Sequence, residues 1–171
     1  MTNSKIKIKT EFGNIIVELY PQYAPLTVAN FLRYVNENHY TDAIFYRVVH
    51  MNNQPNDSVK IEVIQGGLKD DDHPQGLSPI PHETTAQTGI LHKDGVISMA
   101  RNEPGTASSE FFICMGNQPE LDFGGKRNSD GQGFAAFGMV TEGMDVVRKI
   151  QSQPEAGQYL ISAIMMEIKM V

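Results

Sequence analysis

The side chains whose types could carry chemistry are five histidines, one cysteine, an acidic run and a glycine–lysine loop. His39, His50, His73, His82 and His92 show neither H-x-x-x-H spacing nor a paired Cys/His pattern, so no metal site is expected. Asp70-Asp71-Asp72-His73 offers oxygen ligands but lacks the glycine and terminal glutamate of a calcium loop, and it reads as a solvated acidic turn. Gly124-Gly125-Lys126-Arg127 has no Ser or Thr after its lysine and no strand-to-helix setting, which argues against a phosphate loop. No G-x-S-x-G turn marks a hydrolase nucleophile. Cys114 lies in the apolar run Phe111-Phe112-Ile113-Cys114-Met115, with no cationic neighbour to lower its pKa, and reads as a core residue. Whatever this chain does, it is expected to do it without metal, cofactor or covalent nucleophile.

The elements that must position any site are mostly short strands. Lys5-Ile6-Lys7-Ile8-Lys9 alternates with period two, and Glu11 to Asn14 turns it into Ile15 to Leu19. Pro25 suits the first turn of a helix, and Val28, Phe31, Leu32 and Val35 predict an amphipathic helix over Pro25 to Glu37. Strands are predicted at Ile44 to Val49, Val59 to Val63, Val96 to Ala100, Glu110 to Met115, Phe134 to Val140 and Leu160 to Met170. A second helix is predicted at Met144 to Ile150, and the Gly/Pro-rich stretch from Gly66 to Gly89 reads as long surface loops. Many short strands with two helices indicate a mainly β barrel or sandwich, and strand pattern alone does not separate the two.

With 171 residues the chain fits one domain spanning 1–171. Fourteen basic against twenty acidic side chains leave a net charge of −6, which disfavours nucleic acid and anionic membranes as partners. No apolar stretch approaches the ~20 residues needed to cross a bilayer. Met1-Thr2-Asn3-Ser4-Lys5 lacks the apolar core of a signal peptide, so the expected location is cytoplasmic as written, or exported if a leader has been removed. A monomer is expected.

Four segments together resemble the cyclophilin-type peptidyl-prolyl cis–trans isomerase family. They are Ala29-Asn30-Phe31-Leu32 with Phe45-Tyr46-Arg47-Val48-Val49; Val63-Ile64-Gln65-Gly66-Gly67; Gly95 to Arg101 leading to Ser108-Ser109-Glu110-Phe111-Phe112-Ile113; and Phe137 to Val147. Their order and spacing carry the resemblance, and the long Arg47–Gln65 connection is similar to bacterial members. The resemblance implies a closed eight-stranded antiparallel β-barrel capped by two α-helices, with a groove for Pro-containing polypeptides on its outside.

The implied reaction needs little apparatus. Rotation about an X-Pro bond breaks amide resonance against a barrier of ~18–20 kcal/mol. At the twisted midpoint the prolyl nitrogen regains a localised lone pair, so a donor aimed at it binds that state better than either planar one. By resemblance Arg47 is that donor. The resemblance also places Phe112 at the pocket floor and Val63, Leu121 and Phe134 at its walls, and Gln65 matches a glutamine that contacts the substrate backbone or orients the arginine. Ala100 and Arg101 would meet the peptide main chain, and Glu110 stands where a glutamine is common. By strand alternation Phe111 should face the opposite side from Phe112, toward the core.

Four positions depart from the family's best-known members: Glu62 for a pocket phenylalanine, Glu110 for glutamine, Glu120 for tryptophan and Phe134 for histidine. Glu62 or Glu110 is expected to pair with Arg47 or to occupy its donors, giving reduced rather than absent activity. Loss of the tryptophan is expected to weaken cyclosporin-like ligands.

Overall fold

The computed structural model describes residues 3–171. In chain order its elements are β1 Ser4–Thr10, β2 Gly13–Leu19, α1 Pro25–Asn36, β3 Ile44–Val49, β4 Val63–Gly67, α2 Thr85–Thr88, β5 Val96–Met99 and β6 Phe111–Cys114. A 3-10 turn at Pro119–Leu121 follows, then β7 Ala135–Glu142, α3 Met144–Gln151, β8 Glu155–Ala156, β9 Tyr159–Met165 and β10 Glu167–Met170. All strand pairs are antiparallel, in the order β10-β1-β2-β7-β5-β6-β4-β3-β9-β8. The stretch expected as one last strand is interrupted at Met166, so that β9 pairs with β3 while β10 pairs with β1.

Three other expectations are corrected. Val59 to Glu62 alternates but is not a strand, because the Gln54 side chain takes both backbone groups of Ile61: Nε2 donates to its carbonyl at 2.8 Å and Oε1 accepts its N–H at 3.0 Å. The loops after Gly67 contain a third helix, α2, closed by reciprocal Thr84–Gln87 capping bonds and by Gly89 in the left-handed region. The predicted first helix ends at Asn36 rather than Glu37, and Glu83 caps its start from a distant loop, accepting from the N–H groups of Leu26 and Thr27.

The main core packs Phe31, Tyr34, Phe45, Phe111 and Phe137 against the inward residues of the strands, with Phe31 and Phe111 edge to face at 5.5 Å. A second, smaller apolar cluster lies on the other side of the sheet: Val49, Ile61, Val63, Phe112, Cys114 and Leu121, flanked by Ala100 and Phe134. Phe111 and Phe112 therefore face opposite ways, as period-two alternation requires.

One irregularity decides what strand β3 presents. Phe45 pairs with Gly66 and Arg47 with Gln65, so Tyr46 is an extra residue in the ladder. Without it, Phe45 and Arg47 would share a face. With it, Phe45 and Val48 enter the main core while Tyr46 and Arg47 both line the outer cleft. Gly66 allows this tight pairing, since a β-carbon there would lie 2.9 Å from the Ile44 carbonyl and 2.9 Å from the Phe45 ring. Gly66→Ala is expected to destabilise the protein by about 1–3 kcal/mol, read as a lowered midpoint in urea unfolding.

Candidate functional site

The cleft encloses about 440 Å³ and is lined by Arg47, Val63, Gln65, Ala100, Arg101, Glu110, Phe112, Leu121 and Phe134, together with Tyr46, Ile61 and Arg127. All nine residues singled out from the sequence thus meet in one depression. Its floor is the second apolar cluster. Phe112 is 4% exposed and meets Phe134 edge to face at 5.3 Å, with Ile61 and Val63 buried beside it. Phe112 is backed by a residue that sequence reasoning missed: His92 lies parallel to it at 6.0 Å. That imidazole is held between Asp122, 2.7 Å from Nδ1, and the Ser98 hydroxyl, 2.8 Å from Nε2. The three residues are brought together from separate loops and strands, and nothing in their sequence spacing signals it.

At the polar end, Arg47 is half-buried and carries three hydrogen bonds. Its Nη1 donates to Gln65 Oε1 at 2.7 Å, and its Nε and Nη2 both donate to Gln158 Oε1 at 3.0 and 2.7 Å. Burial lowers its pKa from the ordinary guanidinium value, and a charge effect from Tyr159 opposes this. Gln65 Nε2 donates to the Tyr46 hydroxyl at 2.9 Å, and that hydroxyl donates to Glu110 at 2.7 Å. Burial, reinforced by Glu110, raises the Tyr46 pKa and keeps the phenol protonated.

The expected ion pair to Arg47 is absent. Glu110 instead accepts from Tyr46, from the Ser109 hydroxyl at 2.5 Å, and from the N–H groups of Leu68 and Lys69 at 3.0 and 2.8 Å. Gly67, at φ +142°, leaves room for it: a β-carbon there would come within 2.5 Å of Glu110 Oε2. Glu62 lies elsewhere, in a second depression with Met51, Lys60 and Met115, and Ile61 takes the wall position. Glu120 does not line the cleft either. Among the described residues, no group of three His, Cys, Asp or Glu side chains is placed to hold a metal.

Arg101 was expected to matter through its backbone, yet its side chain is 2% exposed and braces the cleft. It forks onto Asp130 with two 3.0 Å bonds, donates to the Gly133 carbonyl, and lays its guanidinium over the Phe134 ring at 5.2 Å. Arg127 similarly ties the loop after β3 to the far wall, donating to Gln54 Oε1 at 3.0 Å and the Val59 carbonyl at 2.7 Å. Buried Cys114 lies below the floor, its thiol pKa pushed up by burial, so it is an inert packing residue.

Comparison with known proteins identifies the family. The profile of the family "Cyclophilin type peptidyl-prolyl cis-trans isomerase/CLD" matches residues 5–169. A peptidyl-prolyl cis-trans isomerase of Acinetobacter baylyi is 36% identical over 155 residues, covering 90% of this chain and 75% of that protein. Peptidyl-prolyl cis-trans isomerase B of Escherichia coli is 33% identical over 147 residues, covering 85% and 83%. A crystal structure of a Cryptosporidium parvum cyclophilin type peptidyl-prolyl cis-trans isomerase, in the presence of the dipeptide Ala-Pro, has TM-score 0.77 at 21% identity and covers 98% of each chain.

The Arg101–Asp130 fork has a pH signature. Hydrogen bonding from Arg101 holds the Asp130 pKa below its ordinary value. A depressed folded-state pKa means the pair stabilises fully above the unfolded aspartate range and fades as pH falls through the lower folded value. Asp130→Asn is expected to flatten that acid-side loss of stability, read by urea unfolding at pH 7 and at stepwise lower pH.

Proposed function

The chain belongs to the cyclophilin-type peptidyl-prolyl cis–trans isomerase family and is a peptidyl-prolyl cis–trans isomerase, and from that premise we propose that Arg47 is the catalytic residue. A guanidinium has five N–H donors and no acceptor. Three are engaged by Gln65 and Gln158, which leaves two for substrate. The socket of Phe112, Val63, Leu121 and Phe134 seats the prolyl ring and holds it while the acyl side of the bond rotates. A free Arg47 donor then meets the nitrogen lone pair that exists only in the twisted state. Ala-Pro, the dipeptide named with the Cryptosporidium structure, is the smallest member of the substrate class we assign.

The observation that carries this reading is a hydrogen-bonded cation that, among the described residues, has no carboxylate partner, at the rim of an apolar socket in the same cleft. Because neither Glu62 nor Glu110 touches Arg47, the reason for expecting weakened activity falls away. In our reading the sheet closes as an eight-stranded barrel: β9 and β10 count as one strand meeting β3 and β1, and two-residue β8 is a spur. We also assign the chain to the long-loop bacterial type, on the seventeen residues between Arg47 and Gln65. Its clients would be flexible Pro-containing polypeptides during folding, handled by a monomer.

Arg47→Ala is expected to lower kcat/KM on an Ala-Pro peptide about 10²- to 10³-fold, measured by NMR exchange between the cis and trans forms. Phe112→Ala is expected to act mainly by raising KM. A wild type that binds the peptide without accelerating exchange would make the protein a Pro-peptide binding module, and Arg47→Ala with full activity would remove the assigned role.

A further inference from the structure

We propose that Gln158 is a positioning residue for catalysis, fixing the plane of the Arg47 guanidinium; this rests on reading Arg47 as the catalytic donor. Gln158 follows Gly157 in the turn between β8 and β9. Its side-chain carbonyl accepts from Nε and Nη2 together, a two-point grip that stops rotation about the Arg47 side chain's end. Gln65 accepts from Nη1 on the other side, so the guanidinium is held from both flanks.

Gln158 is itself held at every polar group. Its N–H donates to Glu155 at 2.7 Å, its backbone carbonyl accepts from the Val48 N–H at 2.8 Å, and its Nε2 donates to the Asn53 carbonyl at 3.0 Å. Asn53 is tied back to β3, donating from Nδ2 to the Val48 carbonyl at 2.9 Å and accepting the His50 N–H at 2.8 Å. The loop after β3 therefore bears on the arginine through Gln158. The residue sits at φ +78°, where a glycine would rest more easily, so the side chain occupies a position the backbone alone would not select. The acceptor is also neutral. A carboxylate at the same point would hold the cation more tightly and reduce what it offers the prolyl nitrogen.

The test compares Gln158→Met, which keeps length and removes the acceptor, with Gln158→Glu, in the wild-type and Arg47→Lys backgrounds, using an Ala-Pro peptide. Gln158→Met is expected to lower kcat about tenfold with KM changed less than about twofold, and Gln158→Glu to lower kcat as well. In the Arg47→Lys background, where no Nε–H remains to grip, Gln158→Met should change kcat less than about twofold. Equal losses in both backgrounds, or an unchanged kcat in folded Gln158→Met, overturn the positioning role while leaving Arg47 in place. Full activity in Arg47→Ala overturns both. Nitrogen NMR of the wild type gives a check without any variant: the Arg47 Nε–H should exchange with water far more slowly than that of exposed Arg148, and equal rates would refute the grip.

Discussion

A pleated strand shows alternate side chains to alternate faces, and this cleft exists because one residue breaks that rule. The extra residue at Tyr46 puts two neighbouring side chains on the outer surface while Phe45 and Val48 stay in the core. The polar end of the site is organised around that pair: Arg47 reaches Gln65 and Gln158, and Tyr46 links Gln65 to Glu110. A regular ladder would have forced a choice between an anchored core and an outward arginine. The glycine opposite Phe45 is the counterpart of the bulge, since any larger residue would press on it.

The electrostatic arrangement follows from what is kept apart. A half-buried cation without partners would be costly, and a directly bound carboxylate would occupy it. Two neutral amide oxygens solve both problems, solvating Arg47 without cancelling its charge. One link to an anion passes through Gln65 and the Tyr46 phenol, and the Glu110 carboxylate at its end is saturated by backbone N–H groups and Ser109; a second runs through the Gln158 N–H to Glu155. Glu110 consequently serves the loop at Leu68 and Lys69, and it leaves the arginine alone.

Much of this was readable from the chain alone, and the exceptions share a cause. Strand alternation separated Phe111 from Phe112, and Arg47, Gln65 and Phe112 were reached only through the resemblance of their short contiguous motifs to the cyclophilin family. Gln158 escaped notice because no local pattern encodes a meeting between a turn and a strand 111 residues apart, and His92 was weighed only as a metal ligand because its partner Asp122 comes from a loop 30 residues on. The alternation at Val59 to Val63 misled for a related reason: a side chain from Gln54 supplied the hydrogen bonds that a neighbouring strand was expected to supply. The capping pair Thr84 and Gln87 was legible in principle, but its Gly/Pro/Asp-rich surroundings spoke more strongly for loop.

The final strands carry an implication for how the molecule comes into being. Residues 159–170 hydrogen-bond to β3 through β9 and to β1 through β10, so β1 waits for one of its partners until residues 167–170 arrive. During synthesis β1 can zip onto β2 at once, but its other side stays open to solvent until residues 167–170 have left the ribosome. An enzyme for a slow step in folding thus depends on a long-range pairing of its own, and until it forms the open edge of β1 is exposed to capture by other chains.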